Sequence, residues 1–381
     1  MNISIVIVGY NRPKALRDLL SSLERIKTDR EVPLIISIDN KGTDEVNRIA
    51  EDFEWKFGPK EVIIHQQKKG LVKHFIWTGD QTEKSDVVIF LEDDLLVSPA
   101  MIDYVEKLYE FYKNDDEVAA ASLYNPFINE ITGARFYQIQ DGYDNYFLQQ
   151  PYWGHVWFKK PWSDFHRYLE TYKVKKDILP AGIAEWEGSF KKIFIQFLVE
   201  TGRYVVTPRV SLVTNNGVPG IHSGNREAFF QSPMCVEIKP YRFSHLRESY
   251  SVYDASFEIL PDILKHYNSS LTAYDFEVDT NGTKHHIRRD YVLTTKRVRK
   301  CVMQFSSLMK PVEQACIFNQ KGDEGMSLCR KEDIIEEKSY YRKFRYNDIH
   351  KNYPVSVLVG LYMFPYAIKR LFSVIKGRFL K

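Results

Sequence analysis

The sequence predicts an α/β protein whose N-terminal part is a doubly wound, mostly parallel sheet with helices on both faces. Three observations carry that expectation: a β-branched run opens the chain, strands then alternate with helices, and three acids follow directly on the fourth strand.

Residues 3–9 (ISIVIVG) form an uninterrupted apolar run of strand length, the pattern of a strand buried on both faces. After the turn YNRP, the segment KALRDLLSSLERI places Leu16, Leu19, Leu20 and Leu23 on one helical face. Pro13 stands near its start, where a missing N–H costs nothing. A second strand is expected at 33–39 (PLIISID), then a polar turn and a helix through VNRIAEDF. A third strand is expected at 61–66, a helix over 70–82 and a fourth strand at 86–92. Beyond Pro99 come a helix (MIDYVEKLYEFYKN), an aromatic-rich mixed region over 120–180, a helical stretch near 186–201 and a strand over 203–213. The pattern weakens past about residue 240, and 275–345 is polar and charge-dense. The domain organisation read from this is 1–240 as the catalytic unit, 241–353 as a smaller, mainly helical or mixed extension, and 354–381 as a basic amphipathic segment.

Composition agrees with a globular protein: 44% hydrophobic and 27% charged residues. A net charge of +3 is too small to point to nucleic acid. The four cysteines show no metal-ligand or disulfide spacing, so a reducing, cytoplasmic setting is the expectation, and MNISIVIVGYNRPKAL does not read as a signal peptide.

The chemistry is concentrated in Val87-Val88-Ile89-Phe90-Leu91-Glu92-Asp93-Asp94. In open α/β sheets ligands bind beyond the carboxyl ends of the strands, where these acids fall. Adjacent carboxylates repel one another unless a cation or hydrogen-bond donors compensate. A hard divalent cation suits them, because with phosphate present it needs only one or two protein carboxylates. The plainer alternative is a solvated acidic turn before the next helix.

Together IVIVGYNRP, the Ser37-Ile38-Asp39 that ends the second strand, and VVIFLEDDLLVSP resemble a GT-A fold glycosyltransferase, with Glu92-Asp93-Asp94 in place of the usual Asp-X-Asp. The acids followed by a hydrophobic pair and a proline are similar to the N-acetylglucosaminyltransferase I family, which moves GlcNAc from UDP-GlcNAc to a mannose. Lys73-His74-Phe75 with Trp77, a Gly154/Trp157 segment, and SLVTNNGVPGIHSG (211–224) are similar to that family and to related bacterial, family 2-like sugar transferases. The resemblance covers about 1–235.

It implies that Arg12 contacts the nucleotide or diphosphate, Asp39 the uracil, and His74 the base. Glu92 and Asp93 would hold ribose and donor sugar, and Asp94 would ligate Mn2+ or Mg2+. Read without it, Arg12 is a helix-start cation, Asp39 an Asx-turn residue before Asn40-Lys41-Gly42, and His74 a satisfied helix histidine. An inverting transfer needs a base for the acceptor hydroxyl. In the resembled family an Asp before a Trp serves, and the matching position is Glu185 in Ala184-Glu185-Trp186-Glu187, with Glu187 as the alternative. On a helix only one of the two would face the cleft.

The glycine-rich stretch Asn216–Gly224 follows a strand and would close over the donor, with His222 near the diphosphate or metal. Tyr152-Trp153-Gly154-His155-Val156-Trp157-Phe158 would line the donor-sugar or acceptor side of the cleft or simply pack in the core. From Pro354 to Lys381 there is no acid, while Lys369, Arg370, Lys376, Arg378 and Lys381 are basic. That end would rest on the inner face of the plasma membrane or pack on the protein as a terminal helix.

The expectation is therefore a metal-dependent inverting transferase. It would use a UDP-sugar and a saccharide or lipid-linked acceptor in bacterial surface polysaccharide synthesis. The alternative is a carbohydrate- or nucleotide-binding protein built on a degenerate transferase domain. Nucleotidyl transfer lacks its N-terminal glycine-rich phosphate loop here.

Overall fold

The computed structural model describes residues 1–217, 230–322 and 325–335 and, beyond these, only 364, 365 and 368. The chain opens with β1 (Ile3–Gly9), α1 (Pro13–Leu23), β2 (Leu34–Ile38), α2 (Asp44–Asp52), β3 (Lys60–Ile64), α3 (Leu71–Asp80), β4 (Val87–Glu92) and β5 (Leu95–Val97). It continues through α4 (Met101–Tyr112), β6 (Val118–Ser122), β7 (Asn145–Leu148), β8 (His155–Phe158), α5 (Lys159–Leu169), α6 (Ala181–Ala184), α7 (Phe190–Thr201), β9 (Tyr204–Pro208) and β10 (Val213–Asn215). Then come β11 (Val252–Tyr253), α8 (Pro261–Tyr267), β12 (Phe276–Asp279), β13 (Tyr291–Thr294), β14 (Met303–Ser306), α9 (Gln314–Ile317) and β15 (Gly325–Arg330).

The expected doubly wound α/β sheet is present. Its strands run in the order β11-β7-β9-β6-β8-β4-β1-β2-β3. β1 pairs in parallel with β2 and β4, and β2 with β3. β8 is reversed between β4 and β6, with His155 opposite both Phe90 and Ser122. As a result the carboxyl ends of β4 and β6 and the amino end of β8 share one edge.

β1 fills both faces. Ile5 and Ile7 join the apolar layer that takes in Leu16, Leu19 and Leu23 of α1 and Tyr104 and Leu108 of α4. Val6 joins the layer of Phe75, Trp162 and Phe194 from α3, α5 and α7. Helices therefore cover both faces, as a mostly parallel sheet requires. At Gly79 an added Cβ would lie 2.0 Å from the Trp162 ring, so the missing side chain is what lets α3 approach α5.

Three expectations change. The strand foreseen over 203–213 is broken: β9 ends at Pro208, which has no N–H to give, and β10 leaves the main sheet to pair antiparallel with β5. The extension is not mainly helical either, because β12, β13, β15 and β14 form a four-stranded sheet there. Its strands are short and interrupted by charged turns, which hid their period. The main sheet also takes its last strand, β11, from residues 252–253, past the boundary expected at 240.

Candidate active site

Gly9, Ile38 and Glu92 close β1, β2 and β4 at one edge, so the loops after them converge. Asp93 and Asp94 form the turn into β5. At Gly9 an added Cβ would press on the Ile38 side chain at 3.2 Å and meet Asp93 at 3.7 Å, an ordinary contact, so the glycine eases the packing of β1 against β2 at this edge. Asp93 N–H donates to the carbonyl of Val8 (3.1 Å) and fixes the turn against β1.

Arg12, the residue before α1, reaches across this edge. Its Nη1 donates to Asp94 Oδ2 (2.7 Å), its Nε to Asp93 Oδ2 (3.4 Å), and its Nη2 to Asp93 Oδ1. Asp93 is 5% and Asp94 13% exposed at the side chain, against 25% for Arg12. Burial pushes the Asp93 carboxyl up to about 6 although Arg12 pulls it down. Glu92 is driven to about 8 by burial and then by the charges of Asp94 and Asp93. Burial works against the charge on Arg12, yet the two aspartates hold its pKa above the usual value. Asp94 Oδ1 is buried with no hydrogen-bond partner. An orphaned carboxylate oxygen beside a second aspartate fits a hard cation, whose remaining positions phosphate and water would fill. Among the described residues no group of three or more acids, histidines or cysteines converges as a ligand set. The aspartate pair is thus the acidic part that can serve, and Glu92 lies at its base.

Asp39 sits beside this cluster at the end of β2. Its Oδ1 accepts from Lys69 N–H (2.7 Å) and its Oδ2 from Gly70 N–H (3.1 Å), at the entry to α3. Burial opposes its charge, but these donors keep its carboxyl below the usual range. The turn after it is left-handed at Asn40, Lys41 and Gly42.

His74 departs from its expected place beside a base. It is 1% exposed, its Nε2 is 2.7 Å from Ser37 Oγ, and burial lowers its pKa to about 4. Ser37 Oγ also meets His65 Nε2 at 2.9 Å. The histidine therefore packs beneath Asp39 as a neutral ring with no surface for a ligand. A serine inside the apolar run LIISI was the one sequence signal for this pair.

The two candidate bases diverge. α6 ends at Ala184, so Glu185 and Glu187 lie in a turn and not on a helix. Glu185 is 64% exposed and pairs with Lys176 (2.8 Å), whose hydrogen bond and charge lower its pKa. Glu187 is exposed and free of ion pairs among the described residues. It lies three residues before Phe190, whose ring is 4.8 Å from Phe75, itself 4.4 Å from Phe90 on β4. Neither glutamate touches the Arg12–Asp93–Asp94 cluster.

The aromatic segment divides. His155 and Trp157 stack in the core (4.9 Å), with His155 also against Phe90, and they line nothing. Tyr152 and Trp153 stay half-buried at the site edge. Lys191 Nζ stands 3.6 Å over the Tyr152 ring and pairs with Glu130, a grouping the sequence did not reveal because it joins three distant segments. After β10, Asn216 N–H donates to the carbonyl of Asp94 (2.7 Å), so the glycine-rich stretch is rooted on the acidic turn itself. His222 lies outside the described residues, as does nearly all of 354–381. No described helix is long and apolar enough to cross a membrane.

Fold and site together define a GT-A type α/β domain with an acidic, arginine-bridged carboxyl edge. Residues 4–177 match the model of glycosyl transferase family 2. No curated protein sequence matches it. Among solved structures, Staphylococcus aureus TarS 1–349 in complex with UDP-GlcNAc is similar at 13% identity and a TM-score of 0.41, over 58% of this chain and 60% of that one. The mannosyltransferase PcManGT from Pyrobaculum calidifontis, in complex with GDP-Man and Mn2+, is similar at 12% identity and a TM-score of 0.35, over 54% of each chain. The chain thus spans less than two thirds of either relative.

Proposed function

We propose that the chain is a metal-dependent, inverting glycosyltransferase. It would move a sugar, with GlcNAc the first candidate, from a UDP-sugar to a saccharide or lipid-linked acceptor in bacterial surface polysaccharide synthesis. The observation that carries this is the buried Asp93–Asp94 pair with an unpartnered Asp94 Oδ1 at the carboxyl edge of the sheet. Asp94, with Asp93, would hold Mn2+ or Mg2+, which neutralises charge on the departing diphosphate. The likeness of Glu92-Asp93-Asp94 and its flanks to the N-acetylglucosaminyltransferase I family supports UDP and GlcNAc, and Asp39 would contact the uracil.

In the transfer an acceptor hydroxyl oxygen attacks the anomeric carbon. The bond from that carbon to the diphosphate breaks, the nucleoside diphosphate leaves, and the hydroxyl proton passes to a glutamate. Glu187 suits this better than Glu185, whose carboxylate is committed to Lys176 and held at lower basicity. Trp153, half-buried, would offer a ring face to sugar C–H surfaces.

A thermal-shift panel of UDP-, GDP- and TDP-sugars with Mn2+ tests the donor. Stabilisation of about 2–3 kcal/mol is expected from the right one at roughly 100 times its dissociation constant. No response to any of them would remove the proposal. UDP-sugar turnover that survives Asp94→Ala would remove the metal site from it.

A further inference from the structure

We infer that Arg12 is a displaceable internal counter-ion: in the free protein it fills the place of the divalent cation between Asp93 and Asp94, and the cation enters together with a nucleoside diphosphate that draws the guanidinium away. The inference rests on the metal-dependent reading above and adds an order of events to it.

Three features of the site carry it. The guanidinium already occupies the shared ground, with Nη1 on Asp94 Oδ2 at 2.7 Å and Nε on Asp93 Oδ2 at 3.4 Å. Both oxygens of Asp93 and one of Asp94 are thus taken, so a cation reaching both carboxylates must displace the guanidinium at least from Asp93. Arg12 also lies outermost, being 25% exposed over acids that are 5% and 13% exposed, so it stands between them and solvent. Finally, its head group has no partner but these two acids among the described residues. It can therefore leave without breaking another contact. Its backbone is pinned separately, by the Leu16 N–H that donates to its carbonyl (3.1 Å).

The fork is an incomplete substitute for a cation, since Asp94 Oδ1 stays unsatisfied while Arg12 is in place. A guanidinium pairs with phosphate oxygens as readily as with carboxylates, so an arriving diphosphate gives it somewhere to go. Metal affinity measured without nucleotide is then reduced by the fraction of molecules in which Arg12 has let go.

Mn2+ titrations of the full chain, read by electron paramagnetic resonance and by thermal unfolding, test this. Wild type is expected to bind Mn2+ alone weakly and about tenfold or more tightly with UDP present. Arg12→Met should bind Mn2+ alone about tenfold or more tightly than wild type, and Mn2+ alone should raise its unfolding temperature. Arg12→Lys cannot fork across both acids and should fall between the two. If the methionine variant does not fold, the comparison of Arg12→Lys with wild type carries the same test. Equal affinity of wild type and Arg12→Lys for Mn2+ alone would overturn the role of Arg12 while leaving a UDP-dependent metal site standing. Absence of Mn2+ binding in every variant, with and without UDP, would overturn the metal reading and this inference with it.

Discussion

In the proposed reaction Asp94 and Glu187 would divide two duties, holding charge on the leaving side and accepting a proton on the acceptor side. Glu187→Gln is expected to lower kcat by about 10²-fold or more with little change in KM for the donor. Glu185→Gln, which breaks only an exposed ion pair, should leave kcat within about threefold of wild type. Steady-state kinetics on both variants decides the matter, and the reverse order would restore Glu185. The acids were legible because charge piled at the end of an apolar strand is costly without a reason, whereas Arg12 was singled out only by the resemblance. The face that each side chain takes was not legible. His74 went inward because Ser37, on a neighbouring segment, offers it a hydrogen bond, and no local pattern around His74 announces that partner.

The elements were clearest where burial is two-sided. β1, β2 and β4 fall within a residue of their expected bounds, and α1 starts within one residue and ends three short of its own, because each has an uninterrupted apolar run or one apolar face. The reversal of β8 and the departure of β10 to β5 were hidden, since both depend on which strand lies next door. The crossing of α3 over α5 supplies a test at this scale. Gly79→Ala would drive a methyl into the Trp162 ring and is expected to destabilise the protein by about 1–3 kcal/mol in urea unfolding, with donor affinity unchanged where the fold persists. An unaltered midpoint would mean that the two helices separate freely.

For the molecule as a whole, buried acids set the response to pH. Burial raises Glu92 to about 8, Glu258 to about 8 and Glu313 to about 7, all from an ordinary 4.5. Each binds its proton more tightly folded than unfolded. The stability this contributes is complete below 4.5 and is lost as pH rises through the folded values. His74 and His155, lowered by burial to about 4 and about 3, stay neutral across that upper window and do not oppose the trend. The thermal midpoint should therefore fall between about pH 6.5 and pH 8.5, and Glu258→Gln should flatten the fall. A midpoint that rises over that interval would contradict the burial of these carboxyls. The basic C-terminal segment makes a separate prediction: deleting 354–381 should release the protein from anionic membranes in sedimentation, and undiminished co-sedimentation would exclude the anchor. Little of the extension could be foreseen, because its four short strands find their partners across stretches of charged turn.

The antiparallel insertion of β8 has one more consequence. Because that strand enters the sheet at the edge where β4 and β6 leave it, the chain before it, around Tyr152 and Trp153, forms a wall whose length is independent of the helices behind. A lineage could lengthen, shorten or recolour that stretch without re-registering the apolar sheet underneath. Kindred enzymes with different appetites for acceptors are therefore expected to vary there first, and leave the arginine and its two aspartates untouched.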